Sequence, residues 1–254
     1  TIYNMTSLIS ISHVEKSYKD GFRSKKIIHD LSLDVRKGEV FGFIGPNGAG
    51  KSTVINLIMG FIKPEHGSVR INGSLPYNPK ARQDIGYLPE DPRFYNNLSA
   101  KELLLFGAHA SGMEKTQAKE SVEPVLTRLD LLNVKDQHIN TYSKGMKQRM
   151  GLAMAMIHDP RIYILDEPMS GLDPIGRNML KRIILEMKDK GKTVFFSTHI
   201  LNDVEVLCDR IGILNKGKLL FCGDMKDFST EEKPFEEAFV EMIKNANEGV
   251  EKDG

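Results

Sequence analysis

Cysteine is scarce. The 254-residue sequence holds two, Cys208 and Cys222, which supply neither a disulfide scaffold nor a metal-ligand framework and suit a reducing cytosol as small buried hydrophobes. Long apolar runs are missing too. Val40–Ile44 and Val194–Phe196 fall far short of the ~20 residues a membrane-spanning helix needs. Neither sign of charge dominates: 35 Lys and Arg stand against 34 Asp and Glu, which gives no broad electrostatic footprint for nucleic acid. The seven histidines are dispersed and form no metal signature. No secretory leader, low-complexity tract or internal repeat is recognisable. The dinucleotide fingerprint G-x-G-x-x-G is also absent, which disfavours a dinucleotide fold.

What is present is a phosphate loop. Gly45-Pro46-Asn47-Gly48-Ala49-Gly50-Lys51-Ser52-Thr53 matches G-x-x-x-x-G-K-[ST] at every fixed position. Its context also fits. Val40–Ile44 is a short apolar run of the kind that forms a buried parallel strand, and Thr53–Met59 reads as the following helix. Glycines let the backbone curl so that successive N–H groups face phosphate oxygens, while the helix N-terminus adds its positive end. Lys51 then reaches the β and γ phosphates, and the Ser52 hydroxyl joins a magnesium shell. A nucleoside triphosphate with Mg2+ is the expected ligand. A guanine-specific site is disfavoured, because Asn215-Lys216-Gly217-Lys218 ends in lysine where Asn-Lys-x-Asp needs an acceptor.

Two carboxylates follow a second apolar burst. Arg161–Leu165 reads as a strand running into Asp166-Glu167-Pro168, at the carboxyl end where such sheets bind ligands. Asp166 is expected to hold magnesium opposite Ser52, and Glu167 to polarise or deprotonate the attacking water. Tyr142–Arg149 begins a helix with Ser143 as its N-cap. Lys144 and Lys147 lie in or beside its first turn, against the helix dipole, a conflict that a docked anion would resolve. Met146, Met150 and Met154 recur every fourth residue, a packing pattern to which Met146, at the phosphate-facing end, is the expected exception.

The expected fold is α/β. Leu8–Val14, Leu31–Val35 and Gly67–Gly73 alternate like an antiparallel sheet with one wet face, whereas the strands beginning at Val40, Arg161 and Thr193 follow the parallel, crossover-connected pattern. Helical periodicity over Ala100–Ala110, Gln117–Leu132 and Ser143–His158 predicts a helical subdomain inserted at about 92–158 within a single domain, 1–230. Leu201–Leu207 precedes a hairpin of Arg210–Asn215 and Lys218–Phe221. In the segment 231–254, Pro234 opens a helix with Phe235, Ala238, Phe239, Met242 and Ile243 on one face, predicted to dock on the core, with Glu248–Gly254 frayed.

Taken together, these motifs resemble the nucleotide-binding subunit of an ATP-binding-cassette (ABC) transporter over nearly the whole chain: a P-loop NTPase core with a mainly parallel sheet, an N-terminal antiparallel β-subdomain and an inserted helical subdomain. Gly45–Thr53 matches Walker A, Ser143–Gln148 lies in a variant signature, Ile162–Glu167 matches Walker B, Ser170–Asp173 the D-loop, and Thr198-His199 the switch histidine. The resemblance implies an ATPase that pairs head to tail, as a homodimer or with another cassette. ATP on Lys51 of one copy would be capped by the Ser143 hydroxyl and Gly145 N–H of the other. His199 would contact the γ phosphate and hold Glu167 and water in line, Asp173 would link the two sites, and Tyr18 would stack on adenine, with Tyr3 and Phe22 nearby. A separate transmembrane permease would place the chain on the cytoplasmic face of the membrane, with no nucleic-acid partner.

Two departures stand out. Tyr142-Ser143-Lys144-Gly145-Met146 replaces Leu-Ser-Gly-Gly-Gln, and Glu90 stands where the family commonly has glutamine, an anion that magnesium, water or a basic side chain would have to neutralise. Both resemble the exporter-like branch called ABC-2 type. Glu90 to Leu98, with Pro92, Phe94 and Tyr95, is the expected permease surface. A soluble cassette ATPase acting on nucleic acid or the ribosome is disfavoured by the single cassette without a long coiled coil. A non-hydrolysing regulatory subunit is disfavoured by Lys51, Asp166, Glu167 and His199.

Overall fold

The computed structural model describes residues 7–21, 23–229 and 234–251. Tyr3, Phe22, 231–233 and the last three residues of the expected tail lie outside them. The chain divides into two compact units, residues 1–82 with 195–254, and residues 83–194.

In the first unit, β1 (Ser7–Asp20) and β2 (Arg23–Arg36) form a long antiparallel hairpin. Next come β3 (Val40–Ile44), α1 (Lys51–Ile58), β4 (His66–Ile71) and the single-turn α2 (Pro79–Arg82). The strand order β2-β1-β4 makes a three-stranded antiparallel sheet. Ile9, Ile11 and Val14 on β1 and Ile28, Leu31, Leu33 and Val35 on β2 are buried, the one-sided burial that alternation implies. Both strands of the hairpin run well beyond the alternating segments, through polar arms that carry no hydrophobic signal.

The second unit begins with β5 (Ile85–Leu88), followed by α3 (Ala100–Ala110), α4 (Lys115–Arg128), α5 (Lys144–Met156), β6 (Ile162–Asp166) and α6 (Pro174–Asp189). Strands β5 and β6 pair in parallel. The helices expected over 92–158 belong to this unit, which also takes in β5, β6 and α6. A reciprocal capping box starts α3: the Ser99 hydroxyl accepts from the Glu102 N–H while the Glu102 carboxylate accepts from the Ser99 N–H. Helix α4 stops at Arg128, four residues short of the predicted Leu132. Asp130 turns left-handed at φ 53° and the Leu131 N–H bonds back to the Leu126 carbonyl at 2.9 Å, a Schellman-type stop. Residues 132–134 and 139–141 are then single 3-10 turns.

Strand β7 (Thr193–Thr198) carries the chain back into the first unit, followed by α7 (Leu201–Leu207), β8 (Arg210–Asn215), β9 (Lys218–Asp224), the short α8 (Met225–Phe228) and α9 (Phe235–Glu251). Strand β3 pairs in parallel with β8, and β8 antiparallel with β9. The architecture is therefore α/β, with an antiparallel N-terminal sheet and mainly parallel pairing elsewhere. Phe235 is buried against Ile44, Val204, Ile211 and Ile213, with Phe239, Met242 and Ile243 packed alongside; each large side chain so buried contributes about 1.5–3 kcal/mol. Helix α9 runs to Glu251, through part of the segment predicted to fray. Arg210, buried at the start of β8, donates to Glu39 at 3.1 Å and to the Asp34 carbonyl at 3.0 Å, so the buried Glu39 carboxylate is paired rather than isolated.

Candidate functional site

The phosphate loop leaves a strand whose five residues are all buried and enters α1 directly at Lys51, two residues earlier than the apolar pattern alone indicates. Gly45 is fixed by close approach: a Cβ there would stand 2.1 Å from the Leu214 carbonyl oxygen. The Ala49 N–H bonds to the Pro46 carbonyl at 3.1 Å, closing the loop on itself. Its far side is tied down by the Gly217 N–H donating to the Ala49 carbonyl at 2.8 Å, and by the His29 N–H donating to the Gly217 carbonyl at 2.9 Å. Lys51 is buried, and its Nζ donates to the carbonyls of Gly45 at 2.8 Å and Pro46 at 3.3 Å. No acidic residue occupies the first turn of α1. The helix thus presents its N-terminal N–H groups with no acidic residue in its own first turn, and the Lys51 ammonium folds back over the loop.

The other expected residues of this unit are Ser52 and Asn47, which are exposed, Thr53, which is half-buried, and His199, exposed just beyond β7. Beyond that strand the Ile200 N–H donates to the Thr198 hydroxyl at 3.0 Å. Tyr18 lies on β1 opposite Lys25, with 41% of its surface exposed and the Lys16 ammonium 5.7 Å from its ring centre, a cation–π distance.

In the second unit, β6 delivers Asp166 and Glu167, both buried at 5% and 7% exposure. Glu167 adopts φ 47°, a left-handed conformation uncommon for a residue with a Cβ. The Ser170 N–H closes a turn on the Glu167 carbonyl at 2.9 Å. Tyr87 on β5 reports the carboxylate beside it: burial, then the charge of Asp166, pushes its phenol up to about 12. At the end of the turn Asp173 caps α6, accepting from the Gly176 N–H at 2.7 Å, with Pro174 at the first helical position.

Ser143 caps α5, its hydroxyl accepting from the Met146 N–H at 3.2 Å. Ser143 and Lys144 are exposed and Gly145 and Met146 half-buried, so this helix end is open while the following turns are packed, Met150 being fully buried. Two contacts between α5 and the 167–173 turn have no signal in the sequence. The Gln148 side-chain amide donates to the Pro168 carbonyl at 3.4 Å, and the Lys144 side chain lies across Gly171. Glu90, in the bend after β5, is exposed. Among the described residues no three His, Cys, Asp or Glu side chains converge as a metal cage, and no helix is long and apolar enough to cross a membrane.

Comparison with known proteins accounts for the combination. The model of the ABC transporter family matches residues 28–170, more than half of the chain. The ABC transporter ATP-binding protein sll0415 of Synechocystis sp. is 39% identical over 238 residues, covering 91% of this chain and 66% of its own length. The bacitracin transport ATP-binding protein BcrA of Bacillus licheniformis is 39% identical over 219 residues, covering 85% and 69%. The ATP-binding cassette MJ0796, solved as a dimer in a post-hydrolysis state bound to ADP and Pi, superposes with a TM-score of 0.79 at 25% identity, over 86% of this chain and 99% of that one. The chain belongs to the ABC transporter family.

Proposed function

We propose that this chain binds and hydrolyses ATP, pairs head to tail with a second cassette, and powers transport, in the export direction, by a separate membrane permease. The observation that carries the reading is the phosphate loop itself: a buried lysine resting on the loop's own carbonyls at a helix N-terminus that bears no acid. That arrangement supports the reading, because a bound triphosphate would offer the ammonium anionic oxygens in place of neutral carbonyls.

The donors present fit a magnesium nucleotide. Ser52 offers a hydroxyl, and Asp166 a buried carboxylate at a strand end, both hard oxygen ligands of the kind Mg2+ accepts alongside water and phosphate. Magnesium, when bound, supplies charge neutralisation across the β and γ phosphates. Glu90 is assigned a supporting place at this metal through water.

The loop N–H groups of residues 45–53 and the Lys51 ammonium hold the triphosphate, and Tyr18 offers a ring face to the base. Glu167 accepts a proton from the attacking water, and His199 donates to the γ phosphate and keeps that water in line. Ser143, Lys144, Gly145 and Met146 of the second copy close over the nucleotide through the α5 N-terminus, and Asp173 connects one site with the other. The dimeric state of MJ0796 bound to ADP and Pi supports this pairing, and the transport function in the name of BcrA supports a permease partner at the cytoplasmic face of the membrane. Within the permease surface assigned to residues 90–98, Tyr95 is 66% exposed and stands with Pro92 and Phe94 as apolar grip.

Calorimetry with MgATP tests the reading. The intact chain should bind, and Lys51→Ala should weaken binding by about 10- to 100-fold, the worth of a charge-assisted contact to phosphate. Equal affinity in the two proteins would refute the lysine's role, and absence of any heat would refute the function.

A further inference from the structure

Lys144 departs from the family pattern at a position usually occupied by glycine, and its charge is poorly placed: an ammonium in the first turn opposes the helix dipole. Its stem, by contrast, is closely fitted. A Cβ built on Gly171 would stand 2.8 Å from Lys144 Cε, 3.1 Å from Cδ and 3.2 Å from Cγ. Three successive methylenes therefore fill the space a side chain at 171 would take. Gly171 has φ 72°, so it could not carry such a side chain without strain. Long on one segment and absent on the other, the two residues form a complementary pair.

A second contact lies one helical turn further on. Gln148, four residues after Lys144 and so on the same face of α5, donates to the Pro168 carbonyl at 3.4 Å and is itself buried at 4% exposure. Helix α5 thus holds the 167–173 turn near both ends: at Pro168, beside Glu167, and at Gly171, two residues before Asp173. Gly145 lies alongside, where a Cβ would make only ordinary contact, 3.4 Å from the Gly171 carbonyl oxygen and 3.9 Å from Leu172 Cδ2.

We propose that Lys144 is a positioning residue: its aliphatic stem, rather than its charge, clamps the 167–173 turn to the α5 N-terminus. When Ser143 engages nucleotide, the turn carrying Glu167 and Asp173 moves with the helix as one piece. This rests on the two-copy ATPase reading above, in which Ser143 and Glu167 of one chain serve different nucleotides. A rigid link between them then couples the two sites within each chain.

Three variants of the full chain separate stem from charge: Lys144→Met keeps most of the stem and removes the ammonium, Lys144→Ala removes both, and Lys144→Arg keeps both. In steady-state ATPase assays, Lys144→Ala should lower kcat by about tenfold or more, the scale of a small misplacement of a catalytic group. It should also bring the Hill coefficient towards one, and Lys144→Met should restore kcat and the Hill coefficient, while both variants share the rise in KM that follows from losing an ammonium beside the nucleotide. A Lys144→Met variant as impaired as Lys144→Ala would assign the role to charge and overturn the proposal, as would wild-type behaviour of Lys144→Ala. Hydrogen exchange of the nucleotide-free chain tests the clamp independently of activity: the Ser170 and Gly176 amides should exchange faster in Lys144→Ala and at the wild-type rate in Lys144→Met. Unchanged exchange in Lys144→Ala refutes the clamp. Faster exchange in a chain that neither binds nor hydrolyses ATP would leave the clamp standing while the functional reading falls.

Discussion

The phosphate loop and the 166–173 turn both follow a buried strand and both curl tightly, yet they achieve it by opposite means. The loop bends at Gly48 and Gly50, with φ 77° and 110°, where no Cβ resists. The turn begins by forcing Glu167, a residue with a long side chain, to φ 47°, which costs about 1–2 kcal/mol relative to a right-handed conformation. A cradle of main-chain donors needs no side chain, so glycine suits it. In the proposed mechanism the Glu167 carboxylate has to point in one direction, which needs its side chain, and the left-handed backbone would be the cost of aiming it from a strand end. Binding and chemistry, on this view, place different demands on the backbone.

Glu167→Gln should break the symmetry most sharply. Turnover should fall by about 100-fold or more, the range for losing a general base, while MgATP affinity persists and the paired form accumulates; rapid turnover with normal binding would take the base role from Glu167. Gly45→Ala attacks the cradle instead. With its Cβ 2.1 Å from a backbone oxygen, it should lower stability by ~2 kcal/mol and weaken nucleotide binding, since overpacking of this kind moves backbone. Denaturant midpoints at wild-type values would show that the loop yields more easily than its contacts indicate.

The strain itself is measurable by comparing Glu167→Gly with Glu167→Ala. Neither can act as a base, but glycine relieves the left-handed backbone and alanine does not, so the glycine variant should be the more stable by about 1 kcal/mol. The opposite order would mean that Glu167 is not strained. The smallest effect concerns alkali. Tyr87 titrates near 10 when unfolded and at about 12 when folded, so its contribution to stability is whole below pH 10 and is lost as pH rises from 10 to about 12. Tyr87→Phe should flatten the fall in unfolding free energy over that window. Asp166→Asn should lower the phenol while leaving it above 10, because burial is the larger cause.

The two regions also differed in how far the sequence revealed them. Residues 45–53 are contiguous, and the fixed positions Gly45, Gly50, Lys51 and Ser52 have spacing-dependent roles, so the loop and the expected ligand class could be read together. Asp166 and Glu167 were legible because four apolar residues precede them. The contacts that α5 makes with the second turn were not, because Lys144 and Gln148 on the one side and Pro168 and Gly171 on the other belong to separate elements and only packing joins them. The same reason hid the outer arms of the β1–β2 hairpin, where Glu15–Asp20 and Arg23–Lys26 are polar on both faces and are held by cross-strand pairing. The C-terminal stop of α4 was misplaced because Leu129, Leu131 and Leu132 keep up an apolar rhythm after Asp130 has turned the backbone. Ser99 and Glu102 had the spacing of a capping box, a local signal that went unused.

The hydrogen bonds from Gly217 to Ala49 and from His29 to Gly217 have a thermodynamic consequence. They fix the loop when the protein folds, so the ordering entropy has already been lost before any phosphate arrives, and association with nucleotide does not have to overcome it. On the proposed function, affinity is in this way partly decided by a β-turn that lies outside the phosphate loop, and loosening that turn should appear first as a faster off-rate.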